Sequence, residues 1–171
     1  MIRRRLIQAG LGAALGAGGR ARAAARSGEL IDTTGARFEL ARLQAQRSLL
    51  TFGFTRCTTT CPYSLAQAAL ALRAPLGAPE LGFVFVTLDP LSDDVPTLAK
   101  FLARFDRRIL GVTGEPARIE NLAERLKVSV RGRGARLEHS SVWYLLEPGL
   151  NLNRVLPSHS SAADLAGAFA S

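Results

Sequence analysis

Apolar positions along this chain switch between strand-like runs and helical spacing, and the switches delimit its elements. Residues 48–54 form an apolar run ending at Gly53-Phe54, and residues 81–88 (LGFVFVTL) form another, long enough for a buried strand. Between them, residues 64–73 are rich in Ala and Leu and helical in character. Residues 95–105 repeat apolar side chains at helical spacing, residues 109–112 predict a short strand, and residues 116–126 predict a helix opened by Pro116. Two hairpins frame this middle. One spans residues 28–40 around Asp32-Thr33-Thr34-Gly35, and the other joins residues 140–146 to 152–156 across Pro148-Gly149. A Gly/Arg loop is expected at 131–136, and a last helix at 162–170 with Ser160 or Ser161 as cap. Strands alternating with helices, and hairpins at both ends, predict an α/β fold with a mixed sheet flanked by helices.

Charge sharpens the domain division. The 171 residues carry a net +8, but Arg3, Arg4, Arg5, Arg20 and Arg22 fall in the first 23 residues, which contain no acidic residue. Setting those five aside leaves 17 basic and 14 acidic residues, an ordinary globular surface that does not call for a nucleic-acid partner. Residues 6–19 are apolar and Gly-rich, and small residues follow, with Ala21-Arg22-Ala23 or Ala23-Ala24-Ala25 as cleavage sites. This is the layout of an export signal. The consecutive arginines resemble a twin-arginine leader, and the stretch is shorter than the ~20 apolar residues of a permanent membrane span. The expected division is therefore 1–25 as leader and 26–171 as one domain. The domain would be periplasmic or otherwise exported, and membrane-associated where the leader is retained. A composition of 47% hydrophobic and 21% charged residues fits a packed core and excludes a disordered chain.

Candidate chemistry centres on the only two cysteines, Cys57 and Cys61, in a Cys-x-x-x-Cys-Pro segment between the strand at 48–54 and the helix at 64–73. Proline disfavours helical geometry in the residue before it, so Pro62 is expected at the first helical position, with both cysteines on the turn that feeds the helix. Free N–H groups at a helix start stabilise thiolates, and Arg56 is expected to add a positive charge beside Cys57. Thiolates are both nucleophiles and soft metal ligands. Two of them with one imidazole suit Cu(I). The two histidines are His139, at the mouth of a hairpin strand, and His159, in a polar loop. His139 is preferred as the ligand, and a surface histidine bonded to the backbone is the plain alternative for either.

The segment Phe52-Gly53-Phe54-Thr55-Arg56-Cys57-Thr58-Thr59-Thr60-Cys61-Pro62 resembles the copper motif of the Sco/SenC proteins, the cytochrome c oxidase assembly factors. Further segments fall in that family's order: Val84 to Pro90 with Asp93, Phe105-Asp106 through Gly114, His139-Ser140, and Tyr144 to Gly149. The resemblance runs from about Glu29 to the C-terminus. It implies a thioredoxin-like fold and binding of Cu(I) or Cu(II) by Cys57, Cys61 and His139. It also implies delivery of copper to the binuclear copper centre of a terminal oxidase, whose copper-receiving subunit would be the partner. Asp89 matches an acidic residue near the family's site, and a purely structural role in the turn after the strand is weighed equally. The family usually has Pro-Asp between the cysteines, where this chain has Thr58, Thr59 and Thr60.

The competing function is thiol-disulfide exchange, with Cys57 as nucleophile and Cys61 as resolver; in an oxidising compartment the pair would tend to close as a disulfide. The redox motif of that class has two residues between its cysteines, one of them proline; here there are three and none is proline. A peroxidase would need a lone low-pKa cysteine with a hydrogen-bonding Thr, which Thr58 or Thr60 could supply, and a Cys2His2 zinc site with His139 and His159 matches no standard spacing.

Overall fold

The computed structural model describes residues 29–45, 47–74, 82–132 and 137–169. The leader assigned to residues 1–25 lies outside them. A seven-stranded sheet runs in the order β2-β1-β5-β4-β3-β8-β9. Its middle strands, β3 (Ser48–Gly53), β4 (Phe83–Thr87) and β5 (Leu110–Gly114), are parallel. The predicted end hairpins form its flanks: β1 (Leu30–Asp32) with β2 (Arg37–Phe38), and β8 (Val142–Glu147) with β9 (Asn151–Pro157). The Pro148-Gly149 turn works because Gly149 takes φ +89°, where a side chain would be strained.

Every side chain of β3 and β4 is buried, as their unbroken apolar runs require for strands covered on both faces. Alternation then sorts the residues. Leu49, Phe83, Phe85, Trp143 and Leu145 join one cluster with the buried side chains of α2 (Thr60–Ala71), α3 (Val95–Leu102) and α5 (Ala162–Gly167). Leu50, Phe52, Val84, Val86 and Tyr144 join a second with α4 (Pro116–Arg125) and Leu43 of α1 (Leu40–Ala45). Asp94 caps α3 by accepting from Thr97 N at 3.0 Å, and Ser161 forms a capping box with Asp164 at the start of α5.

Three expectations are corrected. Helix α2 begins at Thr60, so Cys61 lies within its first turn and Pro62 is its third residue. Proline is tolerated there because the first N–H groups of a helix have no partner to lose, and Thr58, whose carbonyl the ring would meet, lies outside the helix. Arg131 is not in a loop: it closes a short strand β6 (Val130–Arg131) that pairs with β7 (Glu138–His139) in a separate ribbon, while residues 133–136 lie outside the described residues. The helix α1 was not anticipated. Among the described residues no helix is long and apolar enough to cross a membrane.

The Phe83 ring sits edge-on to Trp143 and Phe169, with centroids 5.5 Å away in each case. Replacing it empties the centre of the first cluster. Phe83→Ala is expected to lower unfolding free energy by about 3–5 kcal/mol, read from the urea midpoint at unchanged slope.

Candidate metal centre

The parallel strands β3 and β4 run side by side from Leu49↔Phe83 to Gly53↔Thr87, and both release the chain at the same sheet edge. That edge carries the candidate groups. β3 leads through Phe54 into the cysteine turn and α2. β4 leads into residues 88–94 and α3. Cys61 is buried and Cys57 half-buried, and both are free thiols. The two side chains hydrogen-bond to each other. Cys61 rests directly on the strand: a Cβ added at Gly53 would lie 2.7 Å from its Sγ and 2.8 Å from the Phe85 ring. Only glycine lets the sulfur come so close to β3.

The two thiols differ electrostatically. Partial burial pushes the Cys57 thiol up. The backbone N–H groups of Cys61 and Thr59, the Cys61 thiol and the Thr60 N–H together pull harder the other way, so its pKa is lowered. Thr60 and Cys61 open α2, and the N-cap residue Thr59 makes no side-chain cap bond; the Cys57 sulfur occupies the place a cap would take. Cys61 moves oppositely. Burial, the neighbouring Cys57 charge, the bond to Cys57 and the Asp93 carboxylate push it up to about 12, against the Phe54 N–H.

Arg56 does not act as expected. Its guanidinium is paired with the Asp89 carboxylate, and it is not among the groups that shift Cys57. The thiolate is stabilised by helix N–H groups rather than by this cation. Asp89 also has a structural part: its carbonyl accepts from Ser92 N at 3.0 Å and Asp93 N at 2.9 Å, and its N–H donates to Thr87 Oγ1 at 3.0 Å.

His139 lies on β7, opposite Val130, and Ser140 N donates to Ser129 O at 2.9 Å just beyond it. Its Nδ1 is 3.0 Å from Ser140 O. A carbonyl only accepts, so Nδ1 carries the proton and Nε2 keeps its lone pair. Burial lowers the His139 pKa more than the Ser140 carbonyl raises it, which favours the neutral, ligating form. The ring packs edge-on to Phe54, with centroids 6.1 Å apart. Phe54 thus joins the three predicted residues: its carbonyl accepts from Cys57 N at 3.1 Å, its N–H faces the Cys61 sulfur, and its ring meets the imidazole. The structure brings the two sulfurs together and sets His139 against their common neighbour. Among the described residues no three His, Cys, Asp or Glu side chains gather closely enough to hold a metal ion. His159 is exposed beyond β9, in a loop that Ser64 ties down by donating to Ser158 O at 2.6 Å.

A family model described as SCO1/SenC matches residues 19–171. The chain belongs to the SCO1/SenC family. The human "Protein SCO2 homolog, mitochondrial" is 32% identical over 128 residues, which cover 70% of this chain and 48% of that protein. The chain therefore spans about half the length of this SCO1/SenC relative. Among solved structures, Arabidopsis thaliana ScoI with copper bound superposes with a TM-score of 0.71 at 27% identity, covering 81% of this chain and 90% of its own. Yeast Sco1 with copper bound gives 0.69 at 26% identity, covering 82% and 81%. The thioredoxin-like α/β architecture expected from the sequence is thus the architecture of this SCO1/SenC chain.

Residue-level reasoning passed over Gly53 and the threonines that hold the turn. The sole signal for Gly53 was a glycine interrupting an apolar strand, which marks a close backbone approach.

Two outcomes test this geometry. In the reduced protein iodoacetamide is expected to modify Cys57 well before Cys61. Because the Cys57 pKa is lowered, its alkylation rate falls away only at a pH below that at which an ordinary cysteine slows. Gly53→Ala is expected to displace Cys61 and to remove this preference, as peptide mapping of the alkylated protein would show.

Proposed function

We propose that this chain is a copper carrier that holds Cu(I) or Cu(II) with Cys57, Cys61 and His139. Its cargo goes to the copper-receiving subunit of a terminal oxidase, where it fills or prepares the binuclear copper centre. The observation that supports the reading is a pair of bonded thiols at a helix start, with the His139 ring packed on Phe54, the residue whose main chain contacts both cysteines. Copper-bound relatives of the same fold support it. Soft sulfur ligands suit Cu(I), and the imidazole supplies a borderline donor that Cu(II) also accepts. The proposal includes export to the periplasm or an equivalent oxidising compartment through the twin-arginine leader at residues 1–25.

A second reading is favoured by the opposite shifts of the two thiols. In thiol-disulfide exchange the Cys57 thiolate attacks a client disulfide and one client sulfur leaves as thiolate. Cys61 then attacks the Cys57 sulfur, so the client departs as a dithiol and the chain is left with a Cys57–Cys61 disulfide.

One substitution separates the two. The reduced protein is expected to bind roughly one Cu(I), as a single two-thiolate, one-imidazole site would. His139→Ala is expected to weaken copper binding while the cysteines still close as a disulfide. Unchanged copper affinity with loss of disulfide exchange would decide for the oxidoreductase. For export, Arg3→Lys with Arg4→Lys is expected to leave the precursor in the cytoplasm, seen by cell fractionation; normal secretion would remove the twin-arginine assignment.

A further inference from the structure

We infer that Asp93 is the positioning residue of the cysteine turn: its buried side chain fixes where Cys57 stands relative to Cys61. The inference deepens the copper reading above and rests on it for its consequence in metal binding.

After Gly53 the main chain leaves the sheet, and within the turn the Thr59, Thr60 and Cys61 N–H groups and the Cys61 thiol bond the Cys57 sulfur. Leu88 N donates to Gly53 O at 2.7 Å, and Cys57 N turns back to Phe54 O at 3.1 Å. The anchors that tie the turn to the rest of the fold come from the segment after β4. The exposed one is the Arg56–Asp89 ion pair. The inner one is Asp93, whose side chain is 0% exposed. Its Oδ2 accepts from Thr55 N at 2.9 Å and from Thr87 Oγ1 at 2.7 Å, while Oδ1 accepts from Thr55 Oγ1 at 2.6 Å. Its own main-chain carbonyl accepts from Thr113 Oγ1 on β5 at 2.8 Å. One carboxyl group therefore ties the turn two residues before Cys57 to the end of β4, and the Asp93 main chain is moored to β5.

A buried polar group is expensive unless its bonds are made. Here both oxygens are satisfied, two of the three bonds by Thr55, so the turn and Asp93 hold each other in a single arrangement. Metal ligands are placed by such supporting hydrogen bonds, and loss of one costs about ten- to a hundredfold in affinity. Asp93 has no need to touch the metal. It acts through Thr55, which leads into Arg56 and Cys57.

The test uses the reduced protein, with Cu(I) alone as probe in competition with a chromophoric chelator and amide hydrogen exchange at Thr55 as a readout that needs no metal. Asp93→Asn is expected to keep the native circular dichroism, speed exchange of the Thr55 amide and lower Cu(I) affinity by at least about tenfold. Thr55→Val, which removes one bond and keeps the shape, is expected to show the same changes more weakly, and Thr55→Ser to restore wild-type values. Thr113→Val loosens Asp93 only from β5, and is expected to lower the melting temperature with copper affinity unchanged. Wild-type affinity in both Asp93→Asn and Thr55→Val would overturn the inference, as would an equal loss in Thr113→Val. Should Asp93→Asn fail to fold, the Thr55 pair decides. Failure of the wild-type protein to bind Cu(I) would sink the copper reading instead, and Thr55 exchange would still report whether Asp93 holds the turn.

Discussion

The structure turns on a helix that begins without a conventional cap. At the start of α2 the N–H groups of Thr60 and Cys61 have no partner within the helix, and Thr59 offers no side-chain oxygen to them. They converge with the Thr59 N–H on the sulfur of Cys57. A helix start needs negative charge and a thiol at that place gains from supplying it, so fold and chemistry meet in one contact. The difference between the two cysteines follows. One sulfur faces this cluster of donors near solvent; the other is pressed onto β3 and Phe85, where charge is costly.

The parallel pairing of β3 with β4 puts the exits of both strands side by side, so the cysteine turn and residues 88–94 become neighbours although far apart in sequence. The outer bond between them is an ion pair, half-exposed at Arg56, of the kind that adds at most about 1 kcal/mol. The inner bonds are buried and neutral on the donor side. Surface charge adjusts this edge; the buried hydroxyls and amide define it.

Much of this was readable in one dimension. The apolar run of β4 marks a strand covered on both faces, and the Pro148-Gly149 pair marks the β8–β9 hairpin without any knowledge of the partner strands. The cysteine motif and its place between a strand and a helix were equally visible. The readings that failed depended on distant partners. Adjacency in the chain suggests Arg56 as a positive charge beside Cys57, yet its ion-pair partner Asp89 lies 33 positions away. Thr55 and Asp93 are 38 positions apart, and neither stands in a local pattern that suggests a bond. The start of α2 was placed too late because proline was judged by its effect on the residue before it, whereas three helical residues can precede or include it when no carbonyl stands in its way. Helix α1 is six residues long, too short for its periodicity to register.

The threonines between the cysteines now take on a different meaning. Thr58 and Thr59 point outward, and Cys57 receives main-chain N–H groups, which any residue other than proline provides. Side chains at these positions are thus not needed as donors to the sulfur below them. A run of hydroxyls can stand here with the main-chain bonds to the thiolate in place. Gly53 beneath them has no such latitude, because a methyl group there would run into the Cys61 sulfur and the Phe85 ring.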